Sequence, residues 1–365
     1  MAQTMTLPVE TTKITFDKLE QHTNGGLQGP TVFDPAKHLA FEPPREFITL
    51  QDLLLSEDKA ISPVAVTAPF PLFSAEGVQA LRADLFRKEV VDKHAYSLTP
   101  GCYKMRGYSY DTPFVDAVWK SPAVLAACSK AAGVDLSVVF DYEIAHMNVQ
   151  VDALLGQATL SSVLPQPTPP SNTQSAGPVV EQPAIVQDDD LESLPANGTW
   201  HTDSYPWVCV VMLSDPTNMS GGETGLRKGD GTLLKVRGPA VGWAVMMQGG
   251  CIKHIALKAS GGTGERITMV TSFRAKDPMQ KDVSNLVNVK RSSKHNELFQ
   301  QWSTYRLDVL SQRALLMRNE IAKGDKTAEE ISALMTEWQT VQADYLKTTV
   351  DEILVIRSLS DAECN

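Results

Sequence analysis

The stretch WHTDSYPWVCVVML, residues 200–213, sets a histidine and a carboxylate two residues apart just before an apolar strand. In extended backbone, side chains at i and i+2 project to the same side, so His201 and Asp203 can reach one ion together. WVCVVML (207–213) also opens a run of short apolar segments: LLKV (233–236), VGWAVMM (241–247), IKHIAL (252–257) and RITMVTSF (266–273). Glycine-rich turns separate them, at SGGETGLRKGDG (220–231), QGG (248–250) and ASGGTGE (259–265). Short, evenly spaced strands between Gly and Pro turns predict an all-β sandwich or barrel over 200–275.

Two of those strands carry polar residues that an apolar interior does not tolerate unpartnered. His254 lies between Ile252 and Ala256, which share its face and offer an imidazole no hydrogen bond. Together, His201, Asp203 and His254 make the two-histidine, one-carboxylate set that suits ferrous iron and leaves three coordination positions open. Arg266 and Thr268 repeat the i, i+2 pattern on the last strand. A guanidinium inside a barrel requires an anion, and its planar fork matches a carboxylate, with a hydroxyl donating one more bond. A dicarboxylate fits both features, one end on the metal and the other at Arg266 and Thr268. The alternative is an internal salt bridge from Arg266 to Glu223 or Glu143.

Outward from this core, LSVVFDYEIAHMNVQVDALL (136–155) reads as strand, with His146, Asn148 and Gln150 on one parity. That polar face suggests a wall lining the site, or else an edge facing solvent. Residues 155–197 are rich in Pro, Ser and Gln and end near Asp188-Asp189-Asp190, which predicts a flexible surface insertion, with a lid as the alternative. Earlier, residues 1–60 show no sustained period and read as an arm wrapping the domain. PVAVTAPFPLF (63–73) gives a short strand before Ser74, which can cap a helix carrying Gly77, Val78, Leu81, Leu85 and Val90 at helical spacing. Arg106 sits in an aromatic turn, and 112–132 is helical with Pro122 dividing it. After Asp277 helices return. Leu298, Trp302, Tyr305 and Val309 form one stripe. Thr327 to Glu330 is a capping box that starts a second stripe at Ile331, Leu334, Met335, Trp338, Val341 and Tyr345. The expected fold class is α+β, with a barrel over 61–288 flanked by N-terminal helices. Residues 289–365 should form a helical hairpin that covers the sheet or joins a second copy as a homo-oligomer.

At 365 residues the chain can bury a large core. Its formal charge of −10 argues against a nucleic-acid surface, which needs clustered Lys and Arg. The first residues lack the pattern of a secretory signal, and no stretch approaches the roughly 18 apolar residues of a membrane span. A soluble, cytoplasmic protein acting on a small molecule is therefore expected. The five cysteines are scattered, never in C-x-x-C spacing, and read as reduced thiols.

The HxD at 201–203, GGET (221–224), GWAVMMQGGCIKH (242–254) and ERITMVTSF (265–273) resemble the catalytic core of iron(II)- and 2-oxoglutarate-dependent oxygenases. PVAVTAPFPLF (63–73), MRGYSYDTPF (105–114) and FDYEIAHMNVQ (140–150) resemble fungal members of that superfamily, so the likeness covers roughly 62–280. It implies a double-stranded β-helix, or jelly roll, with iron at its mouth held by His201, Asp203 and His254. It further implies 2-oxoglutarate at Arg266 and Thr268, dioxygen as co-reactant, and ascorbate as an accessory reductant. The implied reaction couples decarboxylation of 2-oxoglutarate to succinate with oxidation of a C–H bond in a small metabolite, by hydroxylation, desaturation or cyclisation. Thr268 stands where the family's signature has serine and keeps the hydroxyl. Asp203 retains the carboxylate that halogenating relatives lack. Asn148 is a candidate for contacting the cosubstrate, and Arg106, Trp207 and Arg274 for contacting substrate. Two alternatives are an iron oxidase that uses no 2-oxoglutarate and a non-catalytic jelly-roll scaffold.

Overall fold

The computed structural model describes residues 31–99, 101–151, 191 and 194–354. The first half of the arm and most of the 155–197 insertion lie outside the described residues. The N-terminal part holds α1 (Pro35–His38), β1 (Phe47–Ile48), β2 (Val66–Thr67), β3 (Phe70–Pro71), α2 (Ala75–Leu85), α3 (Lys88–His94), β4 (Ala95–Thr99) and β5 (Cys102–Met105). Then come α4 (Pro113–Lys120), α5 (Pro122–Ala132), β6 (Leu136–Val138) and β7 (His146–Val151). Ser74 caps α2 as its sequence predicts, its hydroxyl accepting the Gly77 amide at 3.0 Å. The helix stops before Val90, however: Arg87 is extended at ψ 138°, and the chain restarts as α3. Pro122 divides α4 from α5 because the residue before a proline is driven out of helical backbone, and Ser121 is extended at ψ 131°.

The remaining strands are β8 (Trp207–Met212), β9 (Met219–Gly221), β10 (Thr224–Arg227), β11 (Leu233–Val236), β12 (Trp243–Met247), β13 (His254–Ala256), β14 (Ala259–Gly261) and β15 (Glu265–Ala275). A large antiparallel sheet runs β1-β2-β12-β8-β15-β7-β5-β4, with β3 beside β12 and β6 beside β15. A small sheet runs β11-β10-β13, and an isolated bridge from His254 to His201 extends it. Followed from β7, the chain alternates between sheets: β7 large, His201 small, β8 large, β10 and β11 small, β12 large, β13 small, β15 large. That alternation is a jelly roll. Between the sheets, Val208, Met247 and Val66 meet Leu226, Leu234 and Ile252. On the outer face of the large sheet, Trp207, Cys209, Val211, Met269 and Phe273 pack with Val78, Leu81, Val115 and Trp119 of the N-terminal helices. Strand β8 is thus covered on both sides, which is why its sequence is apolar throughout.

The chain ends in two long helices, α6 (His295–Ile321) and α7 (Ala328–Leu354). The first predicted stripe is buried: Leu298, Trp302, Tyr305 and Val309 join Phe140, Tyr142 and Tyr205 in a second cluster. The capping box forms, with the Thr327 amide on Glu330 at 2.8 Å and the Glu330 amide on Thr327 Oγ1 at 3.2 Å. The second stripe behaves differently. Of its members only Tyr345 is buried, and no side chain from 314 to 341 is. This outer part of the hairpin lies beyond the reach of the core, so Met335 and Val341 remain in solvent. Among the described residues, no helix is long and apolar enough to cross a membrane.

Candidate metal centre and anion pocket

His201 and His254 face each other across an antiparallel rung. The His201 amide donates to the His254 carbonyl at 3.0 Å, and the reverse bond is 2.8 Å. Each ring then turns its Nδ1 onto a carbonyl two residues earlier, Thr199 for His201 and Ile252 for His254, both at 2.8 Å. A carbonyl accepts only, so Nδ1 carries the proton and the Nε2 lone pairs are left free. Those Nε2 atoms stand 3.8 Å (His201) and 3.5 Å (His254) from Asp203 Oδ1. The three ligand atoms lie within 4.8 Å of one another.

The Asp203 carboxylate is held from behind. Its amide donates to the Gly249 carbonyl at 2.8 Å, while its Oδ2 is buried with no hydrogen-bond partner. Burial alone would raise its pKa, but the facing His254 and His201 outweigh that and hold it below the usual carboxylate value. Burial, then His254, pushes His201 down, which favours the neutral imidazole. Two lone pairs and an unpartnered buried carboxylate oxygen converging on one point are a frustrated set by themselves. A divalent cation satisfies all of them, and this donor set with open positions suits ferrous iron.

A second feature adjoins this one inside the barrel. Arg266 and Thr268 lie on the inward parity of β15 and line a cavity of about 440 Å³, its open mouth included. Leu226, the cross-strand partner of His254, lines the same cavity. Its other walls include Val210, Met212, Trp243 and Val245, and Arg237 also faces it. The Arg266 Nε donates to the Gly222 carbonyl at 2.8 Å, which aims the rest of the fork inward. Gly222 is required there: its φ is +75°, and a β-carbon would lie 3.1 Å from Arg266 Cδ. Among the described residues no carboxylate lies within ion-pair distance of Arg266, so neither Glu223 nor Glu143 closes the predicted alternative salt bridge. Burial pulls this guanidinium down to about 10, with Glu223 opposing and Arg237 assisting. A buried cation left uncompensated is an anion site.

The parity read for β7 holds. Met147 and Val149 face the helices, while His146, Asn148 and Gln150 face the other way. Asn148 lies directly across from Thr268 on one side and Lys104 on the other. Gln150 is structural: it clasps Ala259, donating to its carbonyl at 2.6 Å and accepting its amide at 3.0 Å. His146 is half-buried, its Nε2 atom enclosed and unpartnered, and desolvation, then Arg106, pushes its pKa well down.

Three expected substrate contacts are placed elsewhere. Trp207 is on the outer parity of β8 and fully buried against the helices, so it does not line the pocket. Arg106 is buried and paired with Glu143, which also accepts the Tyr205 hydroxyl at 3.0 Å. That guanidinium neutralises an internal carboxylate and supports the segment carrying Asp203 rather than meeting a ligand. Arg274 sits eight residues beyond Arg266, roughly 27 Å along an extended strand. There it lies 5.7 Å from the Tyr305 ring, at the joint with the hairpin.

Sequence reading missed Lys104, Arg237 and Gly249. Lys104 and Arg237 have no local signature, since only the sheet pairings bring them to the site. Gly249 was visible as part of QGG but read only as a turn.

No protein-family model and no curated protein matches the chain. Among solved structures, it is similar to a 2OG-Fe(II) oxygenase-family oxidoreductase from Burkholderia pseudomallei, at 10% identity and TM-score 0.37, over 64% of this chain and 92% of that one. It is also similar to a Pseudomonas putida prolyl-4-hydroxylase, at 16% identity and TM-score 0.33, over 62% and 100%. A third is HygX from Streptomyces hygroscopicus, with nickel, 2-oxoglutarate and hygromycin B bound, at 10% identity and TM-score 0.33, over 58% and 83%.

Proposed function

We propose that this chain is a non-haem iron(II)- and 2-oxoglutarate-dependent oxygenase that oxidises a C–H bond of a small molecule. One observation carries the reading: a converging His201, Asp203 and His254 set lies in the same barrel as an uncompensated buried guanidinium, Arg266. The three ligands would hold iron, and Arg266 with Thr268 would hold the far carboxylate of 2-oxoglutarate. When bound, the metal and cosubstrate supply the oxidising chemistry, with dioxygen as co-reactant and succinate and carbon dioxide as products; ascorbate serves as an accessory reductant.

The chain's own contribution is placement. The pinned Nδ1 protons leave Nε2 as the metal-facing nitrogen of both imidazoles, and Asp203 offsets part of the metal's charge. The apolar walls from Val210 to Val245 keep water from the anion pocket and strengthen the attraction of Arg266 for a carboxylate. The fixed register of β7 on β15 sets Asn148 beside Thr268, where its amide is available to the cosubstrate. The resemblance of the 63–73, 105–114 and 140–150 segments to fungal oxygenases supports a cytoplasmic enzyme of secondary or amino-acid metabolism.

Anaerobic titration with Fe(II) and then 2-oxoglutarate tests this, read by the weak visible band of a chelated keto acid. The band is expected in wild type and is expected to need far more 2-oxoglutarate in Arg266→Ala. Iron binding without a band would favour an iron oxidase whose substrate carboxylate occupies the Arg266 pocket. No iron binding would overturn the metal centre and leave a scaffold.

A further inference from the structure

Two guanidiniums line the anion pocket, yet only one stands beside a carboxylate. Arg237 Nη1 donates to the Met219 carbonyl at 3.1 Å and to the Gly221 carbonyl, and stands 3.8 Å from Glu223 Oε1. Arg266 has no such carboxylate. The acid that could quench it is close, since Gly222, the residue before Glu223, receives the Arg266 Nε. Glu223 Oε2 is also buried without a hydrogen-bond partner. Glu223 thus carries a buried, unpartnered carboxylate oxygen one residue along the chain from the Arg266 anchor, yet closes no salt bridge with Arg266.

We propose that Arg237 is a positioning residue, which holds Glu223 away from Arg266 and so keeps the pocket open to a dicarboxylate. This rests on the oxygenase reading and deepens it. Two backbone carbonyls anchor the Arg237 head, so its charge is fixed in place, and Glu223 is drawn toward that charge. The charge of Glu223 still acts on Arg266, opposing the effect of burial. Without Arg237 the lowest-energy partner for Glu223 is Arg266 itself, and an incoming carboxylate must then displace an internal one. Arg237 thus acts through Glu223 and not by touching the reacting atoms.

A double-mutant cycle separates this from simple attraction by a nearby cation. The measurement is calorimetric titration of 2-oxoglutarate into Mn(II)-loaded, oxygen-free protein, for wild type, Arg237→Met, Glu223→Gln and the double variant. Arg237→Met is expected to weaken 2-oxoglutarate binding by about tenfold or more, Glu223→Gln by less than about threefold, and the double variant is expected to recover to within about threefold of wild type. A double variant as weak as Arg237→Met would show that Arg237 acts by its own charge, and overturns the proposal. So does an Arg237→Met variant that binds like wild type. Circular dichroism melts check folding, and if Arg237→Met does not fold, Arg237→Gln, which can still donate to the backbone carbonyls without charge, replaces it in the cycle. If metal-loaded wild type binds no 2-oxoglutarate, the oxygenase reading falls first and this inference falls with it.

Discussion

Gly249 stands against Asp203 with no room for a side chain: a β-carbon on it would lie 1.8 Å from Asp203 Oδ2. The contact is on the ligand carboxylate itself, while the Gly249 carbonyl holds the Asp203 amide. Gly249→Ala is therefore expected to swing the carboxylate out of the triad and weaken Mn(II) or Fe(II) binding about 10- to 100-fold, the range seen when the support of a metal ligand is lost. Calorimetry of metal binding checks this, and an alanine variant with unchanged affinity would contradict the contact.

Metal should also stabilise the fold, because the site is formed in the native state only. A cation at 100 times its dissociation constant adds about 2.7 kcal/mol. Wild type is expected to melt at a higher temperature with Mn(II) and to lose the gain with a chelator, while His254→Ala is expected to show neither change. A shift of equal size in both proteins would place the metal elsewhere.

Asp282 ties the hairpin to the core. It accepts from Arg306 at 3.1 Å and from the Tyr305 hydroxyl, and Arg306 is almost wholly buried, donating also to Thr349 at 2.9 Å and the Tyr345 carbonyl at 2.8 Å. Burial alone would raise the Asp282 pKa, but Arg306, Tyr305 and Ser284 outweigh it and leave it below 3.8. A carboxylate whose folded pKa is depressed gives stability above its unfolded value and loses it as pH falls through the folded one. Its contribution is thus complete above about pH 5 and fades below about pH 4. Asp282→Asn leaves Arg306 as an uncompensated buried charge and is expected to cost about 3 kcal/mol or more at pH 7. Urea midpoints across pH 3 to 7 check both statements: the gap between wild type and variant should narrow only at the acid end.

Lys104 lies on the row that includes Asn148 and Thr268, and no carboxylate among the described residues pairs with it. Burial, then Arg106, pushes its ammonium pKa down, as for a cation lacking an acid nearby. Lys104→Met is expected to raise KM for carboxylate-bearing substrates about tenfold while leaving KM for 2-oxoglutarate unchanged, with Lys104→Arg retaining most of the affinity. Equal effects on both KM values would assign Lys104 to the cosubstrate instead.

Which parts were readable from the sequence follows from how far apart the cooperating residues are. His201 and Asp203 need only the two-residue period, and Arg266 with Thr268 need the same, so each pair is legible in the sequence as sharing one face. His146, Asn148 and Gln150 were readable because polar residues marked one parity. Trp207 was misplaced because β8 is apolar on both faces and its sequence does not say which parity faces inward. Arg106 was misread because its partner, Glu143, is 37 residues away and only the fold shows the pair. The same holds for Arg237 and Glu223, which flank the adjoining ends of β11 and β10 and meet only because those strands pair. The second hairpin stripe is legible only as amphipathic, because periodicity reports a face and burial within one chain also requires something to pack against.

The rung between His201 and His254 has one more consequence. Each histidine's amide proton is locked by the other's carbonyl, so neither can exchange with solvent unless the two strands part. Parting them also separates the ligands. The amide hydrogen-exchange rates at 201 and 254 therefore report, in the metal-free protein, how often the cage opens, and they set an upper bound on how fast a bound ion can leave by that route.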